Sequence, residues 1–412
     1  MFSRQEKILL ALLASIQFSS IVDFMIMMPL GPQLMRNFSI NPHQFGLLVS
    51  SYTFCAGITG FLAAFFMDKL DRKQALLTFF IGFSVGTVAC GLAPSYETLL
   101  LARGLTGVFG GVLGSLVLSI VSDSISYERR GSAMGVIMTS FSMASVLGVP
   151  FSLFLANIFS WHAPFLFLGG TSLFLCVLVG WKVPAMRSHL IEKRPKESPI
   201  RVLTRVLKNQ NQRRALLFMS SVMFGHFAII PFLSPSLVSN AGMSEAQLPL
   251  MYMAGGVCTF FTSPLMGRFA DRFGKHTVFL WCALLTIIPY YVITHLNATP
   301  LWGILLICAF FFVTSGGRMV PATALVSGTA LPQTRGSFMS IVSSAQQLSS
   351  ALSSYIAGWI VTSDSTGRML NYPIVGYVAI AFTFVAIFLS RRILAIEGQD
   401  TPNKTEVAAL EH

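Results

Sequence analysis

The chain has 412 residues, 54% of them hydrophobic and only 11% charged, with a net charge of +12. A soluble domain carries about a quarter charged residues, so this balance excludes one and leaves a polytopic membrane protein. The basic charge sits in short connections between apolar segments, where it sets orientation, and no nucleic-acid partner is expected.

Crossing a hydrocarbon core of roughly 30 Å takes about 20 apolar residues. Twelve segments qualify, at 8–35, 45–67, 75–94, 98–122, 132–158, 164–184, 215–239, 248–269, 277–297, 301–326, 337–362 and 372–391. The expected fold class is all-α and integral to the membrane. With the N-terminus inside, the cytoplasmic connections hold Arg4, Lys7, Lys69 to Lys73, Arg129, Arg130, the run from Lys182 to Arg214, Arg268 to Lys275, Arg335, Arg391 and Arg392, while the external ones hold only Arg36 and Arg368. Short loops rich in Lys and Arg stay inside, so both termini are expected in the cytoplasm. The first apolar segment is too long for a cleavable signal and is followed by further spans.

That first segment contains Asp23, in "IVDFMIMMPLGP", the one carboxylate set deep in an apolar run. A carboxylate at a helix centre costs roughly 3 kcal/mol on insertion scales and is normally found with a partner or facing a cavity. If its solvent access and partners change between two conformations, it takes up a proton in one and releases it in the other. A permanently paired structural charge is the other reading. Arg103, in the fourth segment, is the candidate partner. It lies about 8 Å from the external end of its segment and Asp23 about 22 Å from the start of its own, so both reach the outer half of the protein. The alternative for Arg103 is to snorkel to the external interface.

Glycines at 104, 107, 110, 111 and 114 in the fourth segment, and Gly135 and Gly148 in the fifth, suit close helix packing. Gly148 with Pro150 is also a candidate hinge or seal. The run "RSHLIEKRPKESPIRVLTRVLKNQNQRR" then divides the chain, either as a solvated linker or as an amphipathic helix on anionic lipid. The expected organisation is a bundle at 1–184, a linker at 185–214, a second bundle at 215–392 and a tail at 393–412, whose "AALEH" reads as the scar of an expression tag.

The seventh segment places His226 where the first places Asp23. Two titratable groups on equivalent helices are expected to face each other across a cavity, although a neutral wall histidine fits as well. Arg318, in "TSGGRMVP", lies about 25 Å along the tenth segment. It is a candidate for binding an anionic group or for closing the cytoplasmic end against a loop carboxylate. The six cysteines show no CxxC spacing and read as small buried residues, so no disulfide frame or metal site is expected. The sequons at Asn37 and Asn297 fall in very short loops, where chance explains them. No P-loop or dinucleotide turn is present, so no cofactor is expected and a proton gradient is the candidate driving force.

Sliding the chain against itself by 203 residues aligns Asp23-Phe24 with His226-Phe227, Pro32 with Pro235, Asn37 with Asn240 and Asp68 with Asp271. At 205, "RRGSAMG" meets "TRGSFMS". A repeat of six helices keeps its orientation, so the halves are expected to be related by an axis along the membrane normal with a cavity between them.

"MDKLDRK" at 67–73 and "GRFADRFGK" at 267–275 resemble the loop signature of the major facilitator superfamily, in both of its places. "RGLTGVFGG" at 103–111 is similar to the family's arginine motif, and "ASVLGVP" at 144–150 to the fifth-helix motif of its proton-coupled antiporters. The pattern departs at Ala64 and Asp71, which stand where the family has glycine, and at Val149, which separates Gly148 from Pro150. The resemblance implies a twelve-helix, two-bundle transporter of a bacterial inner membrane, working by alternating access. It further implies proton-coupled efflux with Asp23 as proton acceptor, and the loop charges Asp68, Lys69, Arg72, Lys73, Asp271, Arg272 and Lys275 are the expected cytoplasmic latch. Arg103, His226 and Arg318 are the candidate cavity residues, and a cavity rich in Phe and Met suits small amphiphilic or aromatic molecules. A proton-linked or facilitative importer of a small polar or anionic solute, and a non-transporting receptor on the same fold, are the competing readings. The expected partners are a small-molecule substrate and lipid, around a monomer.

Overall fold

The structure is a computed structural model that describes residues 2–63, 65, 67, 70–184, 186, 199–330 and 334–394. Asp68 and Lys69 of the candidate latch, most of residues 185–198 and the tail beyond 394, with its tag-like end, lie outside the described residues.

The first apolar segment forms two helices, α1 (Arg4–Ile26) and α2 (Gly31–Asn37). Pro29 and Pro32 supply no backbone N–H and restrict the residues before them, so one continuous helix cannot run through the turn. At its start α1 is fixed by a capping box, in which the Ser3 hydroxyl accepts from the Glu6 amide at 3.2 Å and the Glu6 carboxylate accepts from the Ser3 amide at 2.7 Å. There follow α3 (Pro42–Ala63), α4 (Arg72–Gly91) and α5 (Tyr96–Ser124). The next segment is α6 (Tyr127–Met143), a π turn at Ala144–Gly148 and α7 (Val149–Ile158), and α8 (His162–Lys182) completes the first half. The π turn has a local cause. Pro150 cannot donate, and the Val149 amide reaches back five residues to the Ala144 carbonyl.

A short α9 (Pro199–Lys208) precedes α10 (Gln210–Ser239), α11 (Leu248–Phe273), α12 (Lys275–Thr294), α13 (Leu301–Ser327), α14 (Arg335–Ile360) and α15 (Tyr372–Ser390). Between α14 and α15 two short antiparallel strands pair Thr362 with Leu370 and Ser363 with Met369. Gly274 joins α11 to α12 at φ 91°, a left-handed value that a side chain disfavours.

Counting the broken fifth segment as one, eleven helices among the described residues are long and apolar enough to cross a membrane. Helix α14, with 26 residues, is not among them because Ser and Gln interrupt it. Those hydroxyls are spent inside the protein: Ser353 donates to the Phe224 carbonyl at 2.5 Å and Ser354 to that of Phe227 at 3.4 Å. A helix sheltered between α3 and α10 does not need an apolar surface all round.

The apolar core has three main parts. One lies within the first half, around Leu13, Phe80, Leu116 and Val179, and one within the second, around Phe218, Phe279, Val326 and Phe338. The third is shared, joining Ile26, Leu34 and Phe45 to Phe232, Leu237 and Tyr372 at the end distant from the N-terminus. The halves therefore fuse at the distal end and keep separate cores at the other. Small residues bring their backbones together: Gly46 of α3 lies against the Ser354 carbonyl and Gly358 of α14, and Gly256 of α11 against Ser145 and Val146 of the π turn.

Candidate functional site

Asp23 is completely buried on α1, and Arg103 on α5 is 1% exposed. An Arg103 Nη1 donates to Asp23 Oδ2 at 2.8 Å, and Thr87 of α4 donates to Oδ1 at 3.0 Å. Both carboxylate oxygens thus have a partner. The guanidinium also lies 4.6 Å from the ring centre of buried Tyr52 on α3, an attractive face-on contact in a dry setting, while its Nε has no hydrogen-bond partner. Four helices of the first half therefore converge on one ion pair. Arg103 turns inward to Asp23 and does not snorkel.

Fixing α1 near Asp23 falls to α7 and the π turn. A Cβ on Gly148 would collide with Val22 and come within 3.2 Å of Phe18, so only glycine lets the fifth segment lie this close, one residue from Asp23. Pro150 stands at the start of α7, where a missing N–H is tolerated.

His226 of α10 has a different setting. Its ring stacks on Phe311 of α13 at 5.9 Å, its Nδ1 is buried without a partner, and no hydrogen bond or ion pair joins it to Asp23 among the described residues. Here the expectation of two titratable groups facing each other is corrected. Adjacent helix residues point about 100° apart, and it is the next residue of each repeat, Phe24 and Phe227, that meets across the two halves at 5.8 Å. Asp23 and His226 each turn into their own half.

Arg318 of α13 is 1% exposed and makes no ion pair with a carboxylate among the described residues, so it is not seen closing an end against a loop. It donates to the Tyr290 hydroxyl of α12 and, at 3.5 Å, to Thr383 of α15. Its Nε and the nearby Ser315 hydroxyl lack partners. Tyr290 stands 203 residues after Thr87, so the same repeat position holds the carboxylate in one half and the guanidinium in the other.

Within the loop motifs, Arg72 donates to Asp123 at 3.1 Å and Lys73 to the Gly180 carbonyl at 2.8 Å, tying α4 to α5 and α8. Asp71 caps α4, accepting from the Lys73 amide at 2.9 Å and the Met186 amide at 3.3 Å; a cap accounts for an aspartate where the family has glycine. In the second motif Asp271 and Arg272 are exposed, with Arg272 over the Phe273 ring at 5.3 Å, and Lys275 opens α12.

The distal end holds contacts that no sequence motif marks. Arg36 forms an ion pair with Glu245 across the halves, its second nitrogen at 3.1 Å from the carboxylate. Asn157 accepts from Gln33 at 3.0 Å and donates to the Glu245 carbonyl at 3.4 Å. The available signal was a lone basic residue in one short loop and an acidic one at the repeat-related loop.

A chain of many apolar helices long enough to cross a membrane, with charges buried among them, is the architecture of a transporter. The sequence profile of the Major Facilitator Superfamily matches residues 13–257 and 215–411, and the chain belongs to that family: it is a multi-pass membrane transporter of small molecules, not an enzyme. YceJ, an uncharacterized MFS-type transporter of Bacillus subtilis (strain 168), is 25% identical over 373 residues, covering 89% of this chain and 92% of its own. A probable sugar efflux transporter of Helicobacter acinonychis (strain Sheeba) is 22% identical over 253 residues, covering 61% of this chain and 63% of its own. Among solved structures, the nucleoside transporter NupG matches with a TM-score of 0.74 at 13% identity, over 94% of this chain and 100% of its own. A bacterial homolog of the human lysosomal transporter Spinster, in an inward-facing and unoccupied conformation, matches with 0.71 at 15% identity over 95% and 98%. At such identities the likeness is one of fold.

Proposed function

We propose that the protein is a monomeric, proton-coupled efflux antiporter of a bacterial inner membrane, with twelve spans including α14 and both termini in the cytoplasm. The observation that carries this reading is the sealed Asp23–Arg103–Thr87 cluster, one residue from the Phe24–Phe227 contact between the halves. A buried carboxylate without a fixed partner is costly, so any rocking of the halves that loosens Arg103 favours its protonation, and re-pairing favours release. Asp23 is then the proton acceptor, Gly148 and Pro150 transmit movement of the fifth segment to α1, and the loop motifs close the cytoplasmic end when the external end opens. Phe and Met side chains around the interface suit aromatic or amphiphilic substrates.

Transport in proteoliposomes tests the whole reading. A panel of fluorescent cations, uncharged aromatic drugs, sugars and small acids is offered with an imposed proton gradient and again with a protonophore. Movement of a panel member against its own gradient only while the proton gradient stands is the expected result; equal, purely downhill movement in both conditions rejects proton coupling.

A second reading, carriage of a small anionic solute, draws on Arg318, a buried guanidinium with hydroxyl partners and no carboxylate among the described residues.

In the orientation proposed, the Arg36–Glu245 pair closes the outside. Arg36 is largely exposed, so the pair is worth about 0.5 kcal/mol, roughly a twofold bias between states. With the natural cysteines removed and Met28→Cys as a reporter at the sealed end, Arg36→Ala is expected to about double the rate of labelling by an impermeant maleimide from outside. An unchanged rate would remove this pair from the gate.

A further inference from the structure

Helix α9 lies outside the transport machinery described above and presents three different faces. Val202 and Val206 are buried in the core of the second half, with Ala215, Phe218 and Phe338, so the helix is anchored against α10 and α14. Ile200 and Leu207 form a separate apolar stripe that is 61% and 45% exposed. On the third face Arg201, Thr204, Arg205, Lys208 and Asn209 line an open groove of about 560 Å³, with no carboxylate among its described lining residues. A linker that only had to stay in water would have no use for the exposed stripe. An anchored helix with an apolar stripe beside a cationic groove, ending where a membrane-crossing helix begins at Gln210, matches the boundary between acyl chains and headgroups.

We propose that this face of α9 binds an anionic phospholipid of the cytoplasmic leaflet, its phosphate in the groove between Arg201 and Lys208 and its acyl chains along Ile200 and Leu207. Free phosphate would satisfy the cations but leave the apolar stripe in water. An acidic protein surface would not place that stripe at membrane depth. Each Lys or Arg beside an anionic surface contributes about a fivefold factor in association.

The test uses the full-length protein in a neutral detergent, with lipid retention followed by native mass spectrometry. Phosphatidylglycerol is titrated against phosphatidylcholine for the wild type, for Arg201→Gln/Lys208→Gln and for Ile200→Ser/Leu207→Ser, all at positions whose exposure spares the core. The charge variant is expected to lose about 25-fold in phosphatidylglycerol retention with phosphatidylcholine unchanged, and the stripe variant to lose several-fold. Wild-type retention in the charge variant overturns the site. Loss in the charge variant alone, or full displacement of the lipid by millimolar inorganic phosphate, overturns the lipid as occupant and leaves a bare anion site.

Discussion

Asp23→Asn is expected to abolish uphill transport, by 100-fold or more, while substrate binding survives. Asparagine keeps the shape of the site and can still accept from Thr87, but it cannot exchange a proton. It also leaves the Arg103 guanidinium buried, 1% exposed, opposite a neutral group. Breaking a buried pair in this way costs about 3–5 kcal/mol, so the single variant is expected to melt early, and loss of transport alone would be ambiguous. The double variant Asp23→Asn/Arg103→Leu resolves it. Removing both charges restores most of the stability, because no unpaired ion remains, yet coupling stays absent. Two measurements check this: the melting temperature of each variant in detergent, and accumulation of a substrate against its gradient in vesicles. If the double variant accumulates substrate at the wild-type rate, Asp23 is not the coupling group.

The placement of helices was largely legible because bilayer thickness imposes a length on every span, and prolines, caps and loop charges mark the ends. The rotation of each helix was not. Helix α1 has no distinct polar face, so nothing in its pattern says which face Asp23 occupies, and the repeat suggested a meeting with His226 where Phe24 and Phe227 meet instead. Charge was more informative than periodicity: Asp23 and Arg103 are costly alone, and the structure brings them to 2.8 Å. Thr87, Tyr52 and Tyr290, ordinary residues in apolar segments, gave no such warning and were overlooked. The hydroxyls of α14 mislead a count by hydropathy, because their partners lie on α10 and are fixed only by tertiary packing.

Arg318→Met is expected to have opposite effects on stability and on one class of substrate. The guanidinium is held by Tyr290, Thr383 and the aromatic face of Tyr290, whose ring centre is 5.4 Å away, with no carboxylate among the described residues to offset its desolvation. Methionine fills a similar volume without the charge, so the variant should melt no lower than the wild type and up to about 3 kcal/mol more stable, even though the Tyr290 hydroxyl loses a donor. A buried cation kept at a cost to stability implies a use for the charge. If that use is to hold an anionic group, binding of an acidic panel member falls about 100-fold, the worth of a charge-assisted hydrogen-bonded contact, while an uncharged aromatic compound moves within about twofold of the wild-type rate. Equal loss of both compounds would place Arg318 in the moving parts of the second half, and a sharp drop in melting temperature with transport of both intact would make it a packing residue. The measured pattern therefore separates carriage of an anion from efflux of uncharged or cationic amphiphiles, a choice the Asp23 experiment leaves open because loss of proton coupling does not identify the substrate.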